Sequence, residues 1–141
     1  FSDVHRDNTL ISFEDVRNIP NLELVFCREI NEQDIQYLSN VQELLIADCY
    51  NDSFVDSLHY LQNIRKLEIN GCNIKNVPAR RLMDQIKKLR NLTELTIDEK
   101  FTIEFLKTQR LNKMMPKLEW IKTYPHYLYV KEIEVSSQTN N

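Results

Sequence analysis

Val41-Gln-Glu-Leu44-Leu-Ile46-Ala-Asp-Cys49 carries the pattern that decides the fold. Leu44 and Ile46 place large apolar residues two apart, as Leu67 and Ile69 do in the next copy, which suits a short strand with one buried face. The frame returns as Ile64-Arg-Lys-Leu67-Glu-Ile69-Asn-Gly-Cys72. Working outward, it is preceded by Ile19-Pro-Asn-Leu22-Glu-Leu24-Val-Phe-Cys27. It is followed by Leu92-Thr-Glu-Leu95-Thr-Ile97-Asp-Glu-Lys100 and Met115-Pro-Lys-Leu118-Glu-Trp120-Ile-Lys-Thr123. The key leucines 22, 44, 67, 95 and 118 step by 22, 23, 28 and 23 residues. Self-similarity at this period is the mark of stacked supersecondary units.

Between the frames the apolar period changes to a helical one. Ile30, Ile35, Leu38 and Val41 follow the first frame, and Phe54, Leu58 and Leu61 follow the second. Ile74, Val77, Leu82, Ile86 and Leu89 follow the third; Phe101, Phe105, Leu106, Leu111 and Met114 follow the fourth. Ser53 with Asp56 reads as a capping box, and Asn31 and Thr102 as N-caps. Pro78 fits a first helical turn, where its missing N–H costs nothing. Ser12, Phe13, Val16 and Ile19 outline an earlier, incomplete unit.

One strand-plus-helix unit cannot bury its own apolar face, but stacked neighbours can. The expected architecture is therefore an α/β solenoid, with a curved parallel sheet on the concave side and helices on the convex side. The array runs as one domain over residues 1–135, with a partial repeat near 4–18. Repeats start near 19, 41, 64, 92 and 115. Tyr124-Pro-His-Tyr127-Leu-Tyr129-Val-Lys-Glu-Ile133-Glu-Val135 is aromatic and β-prone, and reads as a terminal strand or cap over 124–135. Residues 136–141 are polar and expected to be disordered.

The frame LxxLxLxxC, with Cys27-Arg-Glu-Ile30-Asn31-Glu32 as its closest match, resembles the cysteine-containing class of leucine-rich repeats. The resemblance spans roughly residues 10 to 124. It implies a leucine-rich-repeat solenoid and a protein-binding role. In F-box proteins such repeats hold substrates for a ubiquitin ligase, so a substrate-recognition role is one expectation. The other is a small accessory subunit of a larger assembly, similar to the repeat protein associated with mitochondrial ATP synthase. In this class Cys27, Cys49 and Cys72 would share one position, where a small, weakly polar side chain satisfies the turn behind the strand. Lys100 departs from it.

Composition narrows the function classes. The 141 residues are 42% hydrophobic and 28% charged, enough apolar content to bury a core. A net charge of −3 offers no general attraction to nucleic acid or acidic membranes. A single glycine, Gly71, rules out both GxGxxG and P-loop fingerprints. No apolar run reaches the roughly 18 residues of a membrane span. Phe1-Ser2-Asp3-Val4-His5 shows neither region of a secretory signal. Three cysteines without CxxC spacing point away from zinc and toward reduced thiols, hence toward the cytoplasm or nucleus. His5, His59 and His126 stand apart, so no catalytic dyad is expected, nor any cofactor or metal. Asn51-Asp-Ser53 and Asn91-Leu-Thr93 match the glycosylation triplet and are read as unmodified. Arg80, Arg81, Lys87, Lys88 and Arg90 lack interleaved aromatics and read as a solvated convex face.

Function is expected on the concave sheet, where alternate strand residues point outward. Unit by unit these are Glu23 and Val25; Glu43, Leu45 and Ala47; Lys66, Glu68 and Asn70; Glu94, Thr96 and Asp98; Lys117, Glu119 and Ile121. Glu23, Leu45, Glu68, Thr96 and Glu119 form one column. Counting Asp48 at the rim, seven acidic positions face two basic ones, so the expected partner is a protein with a basic segment, steered by the field. The chain would be a monomer or part of a hetero-complex.

Overall fold

The computed structural model describes residues 3–6, 24–27, 30, 32–47, 52–70, 76–107, 111–123 and 126–129. It is a mixed α/β structure. Among the described residues seven strands form one sheet in chain order: β1 (Asp3–Arg6), β2 (Leu24–Cys27), β3 (Glu43–Ala47), β4 (Lys66–Asn70), β5 (Glu94–Thr96), β6 (Trp120–Thr123) and β7 (His126–Tyr129). Strands β1 to β6 pair in parallel, and β7 turns back antiparallel on β6. The aromatic segment after Thr123 thus supplies the expected terminal strand. Strand β1 was not foreseen from the sequence.

Helical segments connect the strands: α1 (Glu32–Ile35) with a 3₁₀ turn at Gln36–Leu38, a 3₁₀ helix at Ser53–Tyr60, α2 (Ala79–Ile86), α3 (Glu99–Leu106) and α4 (Leu111–Met114). They pack neighbour against neighbour and bury Ile35, Leu38, Phe54, Leu58, Leu82, Ile86, Phe101 and Leu111 against the sheet. A 3₁₀ helix gains more length per residue than an α-helix. It spans the shorter β3–β4 connection, whereas the longer β4–β5 connection holds α2. Among the described residues no helix is long and apolar enough to cross a membrane.

The same backbone device recurs before four strands. The N–H of Val41 donates to Leu38 O (3.0 Å), Ile64 to Leu61 O (3.2 Å), Leu92 to Leu89 O (3.1 Å) and Leu118 to Met115 O (3.1 Å). One carbonyl then accepts two N–H groups from the next unit. Gln42 O takes Arg65 (2.7 Å) and Lys66 (3.1 Å); Arg65 O takes Thr93 (2.8 Å) and Glu94 (3.0 Å); Thr93 O takes Glu119 (2.8 Å) and Trp120 (3.1 Å). These junctions satisfy the backbone where the chain rejoins the sheet.

They also set the register. Leu44, Leu67 and Leu95 stand opposite one another, as the frames predict. On either side the frames are corrected. Ile121, not Leu118, pairs with Leu95, and Val25, not Leu22, pairs with Leu44. Each unit carries apolar residues three apart, as in Leu38-x-x-Val41-x-x-Leu44, so a sequence can slide by three and still match. The equivalent steps are Val25 to Leu44 (19), to Leu67 (23), to Leu95 (28) and to Ile121 (26). An odd slip exchanges the two faces of a strand. Cys27 therefore stands opposite Ile46, and does not share the position of Cys49 and Cys72, which lie outside the described residues. Counted from the strands, that position belongs to the buried Ile30 in the first unit and to Lys100 in the fourth.

Two helix starts differ from expectation as well. The helix begins one residue earlier than the expected box: Asp52 is the N-cap, without a side-chain bond, and the Asp56 carboxylate binds Arg81. Thr102 lies inside α3, buried, with its hydroxyl donating to Asp98 O (3.4 Å). Pro78 immediately precedes α2, its carbonyl accepting from Arg81 N–H (3.0 Å). Asn31 and residues 136–141 lie outside the described residues.

Candidate functional site

Strand alternation sends Leu44, Ile46, Leu67, Ile69 and Leu95 into the core beneath the helices. The intervening residues occupy the face opposite the described helices. By register they form two rows across β3 to β6. One row is Glu43, Lys66, Glu94 and Trp120; the other is Leu45, Glu68, Thr96 and Lys122. A shallow cavity of about 290 Å³ opens on this face, lined chiefly by Glu43, Leu45, Lys66, Glu68, Glu94 and Thr96.

Charges on the face pair across strands. Lys66 Nζ lies 3.7 Å from Glu43 Oε1, and Lys122 Nζ lies 3.2 Å from Glu94 Oε1. Such part-exposed pairs contribute at most about 1 kcal/mol each, but they fix where charge is presented. Three carboxylates (Glu43, Glu68, Glu94) meet two ammonium groups (Lys66, Lys122). These counts cover the described residues of β3 to β6, where the register brings in Lys122 and moves Glu119 out; Glu23 and Asp48 lie outside the described residues.

Of the expected column, Leu45, Glu68 and Thr96 do stand side by side. Thr96 is only 9% exposed and offers little beyond its edge. The ends are corrected. Glu119 sits at the junction before β6, its N–H donating to Thr93 O (2.8 Å), and Lys122 takes its place in the row. Ile121, expected to face outward, is 0% exposed and belongs to the core. The pairing of Val25 with Leu44 puts it in the register of the core residues; Phe26 stands opposite Leu45 instead. Asp98 lies at the start of α3, where its carbonyl accepts from Phe101 (3.0 Å) and Thr102 (3.2 Å). Ala47 and Asn70 end β3 and β4 opposite each other. Glu23 lies outside the described residues. Lys122 and Trp120 were missed because both depend on the slipped register of β6.

The opposite, helical side holds a different kind of electrostatics. Arg81 binds both carboxylate oxygens of Asp56 (2.9 and 2.7 Å) and reaches Asp52 Oδ2 (3.4 Å). The Arg81 hydrogen bond holds the Asp56 carboxyl below its ordinary value, and Asp56 in turn raises the Arg81 guanidinium. The Gln85 amide oxygen accepts from His59 N–H (3.1 Å) and contacts His59 Nδ1 (2.7 Å). Because that oxygen can only accept, Nδ1 carries the proton. His59 is thus a half-buried link between the 3₁₀ helix and α2. Lys100 Nζ donates to Val77 O (2.9 Å) and lies 4.9 Å from the centre of the Phe101 ring. Among the described residues no three His, Cys, Asp or Glu side chains converge as a metal site would require.

No protein-family model matches the sequence, and no curated protein matches it.

Proposed function

We propose that the chain is a leucine-rich-repeat solenoid that binds another protein on its uncovered, concave sheet face. The supporting observation is the cavity over β3 to β5, with Leu45 at one side and paired Glu and Lys side chains across it. A face built from short strands in series, with no described helix over it, presents a broad surface in which each strand contributes one or two side chains. The partner segment carries lysine or arginine among apolar residues. The carboxylates outnumber the ammonium groups by one, and Leu45 and Trp120 offer apolar area. With most charges already paired, affinity falls only modestly as salt rises. The narrower reading, substrate recognition for an F-box-type ubiquitin ligase, rests on the resemblance of the repeats.

A photo-reactive benzoylphenylalanine placed at Leu45 or Lys122, and separately at Arg80 or Lys88, tests this in cells. The expected result is one discrete adduct from the sheet positions, lost when Glu68→Lys is added, and none from the helix positions. Adducts arising only from the helix positions would overturn it.

A further inference from the structure

A second groove runs along the end of the sheet where the strands begin. It holds about 590 Å³ and is lined by Asn40, Gln42, Asn63, Arg65, Asn91, Thr93 and Lys117. These are successive copies of the same loop positions: Asn40, Asn63, Asn91 and Lys117 each lie two residues after the carbonyl that closes the turn. Gln42, Arg65 and Thr93 carry the junction carbonyls. The side chains are stacked by repetition, so one position is presented again and again.

The acceptors and donors of this groove are unequally used. Gln42 O, Arg65 O and Thr93 O are each consumed by two N–H groups of the next unit, and Arg65 O also takes Thr93 Oγ1 (3.1 Å). Asn63 and Asn91 spend an amide N–H on Ser39 O (2.9 Å) and Gln62 O (2.8 Å), which hold the loops in line. Asn91 Oδ1 is occupied by Lys117 Nζ (2.8 Å). The carbonyl acceptors are therefore satisfied, while Arg65 has no acidic partner among the described residues. Among the described residues no carboxylate lines the groove. That contrasts with Lys66 and Lys122 on the neighbouring face, each held by a glutamate.

We propose that this groove binds an acidic peptide segment in extended form, with its carboxylates on Arg65 and Lys117 and its backbone against the amide side chains. Spacing favours a chain over one small anion. Arg65 belongs to the unit of β4 and Lys117 to that of β6, two strands across and two positions earlier in its unit, so their backbones stand roughly 12 Å apart. That matches carboxylates about three to four residues apart along an extended chain, and a lone phosphate spans far less. An arginine fork and an ammonium group are suited to carboxylates. The site is separate from the sheet face and takes a ligand of opposite sign.

The test uses the full chain and a fluorescein-labelled Glu/Ser-alternating dodecapeptide, read by fluorescence anisotropy at low salt. Arg65→Glu with Lys117→Glu is expected to weaken binding at least tenfold, and Arg65→Gln alone severalfold. Lys66→Gln and Lys122→Gln on the face should leave it within twofold. A neutral Ser/Gln peptide should not bind, and inorganic phosphate should compete only at far higher concentration. Circular dichroism of each variant checks that the fold persists, and Arg65→Gln serves if the double reversal unfolds. Equal binding by wild type and Arg65→Gln, or no binding by wild type, overturns the proposal. So does loss of binding through Lys66→Gln, or phosphate or an oligonucleotide displacing the peptide at concentrations equal to its own. Failure here leaves the sheet-face crosslinks untouched, so the two readings fail separately.

Discussion

The units around β4 and β6 make the same backbone structure and present opposite surfaces. Both open on an i to i+3 turn, both hang on the preceding carbonyl by two N–H groups, and both bury three apolar residues at spacing three. In one these are Leu61, Ile64 and Leu67; in the other, Met115, Leu118 and Ile121. Outward, β4 shows Lys66 and Glu68, while β6 shows Trp120 and Lys122. The buried ladder is a matter of spacing and tolerates exchange among apolar residues. The outward residues are under no such demand, which leaves them available for recognition.

The largest effects should come from breaking the ladder. Leu67→Ala and Ile121→Ala should each lower stability by about 2–5 kcal/mol, since both remove methyl groups from closed packing. Urea titration of both variants checks this. If Ile121→Ala were as stable as wild type, β6 would not share the packing of β4.

Next comes the amide column. Asn91→Ala removes a bond to Gln62 O and the acceptor of Lys117, and should cost about 1 kcal/mol. Asn63→Ala removes one bond to Ser39 O and should cost less. Reversed order in thermal melts would mean that the column does not tie the β6 unit more firmly than the β4 unit.

A smaller effect is expected behind β4, where Arg81 binds Asp56. Both side chains are part exposed, so Asp56→Asn should cost about 0.2–1 kcal/mol near neutral pH. The folded pKa of Asp56 is depressed, so its contribution is complete above the unfolded value of about 3.9 and is lost as pH falls through the folded one. The stability difference between wild type and Asp56→Asn should therefore shrink below about pH 4. A difference that persists at pH 2 would assign the pair another role.

Smallest of all, Glu68→Gln and Lys122→Gln should change stability by no more than about 0.5 kcal/mol, as loss of a part-exposed charge usually does. A larger loss from either would show that the outward rows of β4 and β6 are structural after all.

The strand-plus-helix order, the parallel sheet and most of the core could be read from Leu44, Leu67, Leu95 and their neighbours. So could the pairing of Leu45, Glu68 and Thr96. The outer registers could not. Met115-x-x-Leu118-x-x-Ile121 matches its neighbours equally well one notch either way, and only the turn closed by Met115 O chooses the notch. With β6 misplaced, Ile121 passed for a surface residue and Trp120 for a core one. The partner of Asp56 could not be read for a different reason. It is Arg81, which is 25 residues away and invisible to local pattern.

The outward rows of the sheet end on Trp120 and Lys122 only if β6 lies in this register, and hydrogen-bond scalar couplings across labelled β5 and β6 measure that directly. The expected result is a coupling from the Ile97 N–H to the Lys122 carbonyl, whose atoms are 3.0 Å apart, together with one from the Glu119 N–H to the Thr93 carbonyl. That result places Lys122 beside Thr96 and Ile121 beneath the helices. A coupling from the Ile97 N–H to the Glu119 carbonyl would contradict it and return Glu119 to the face.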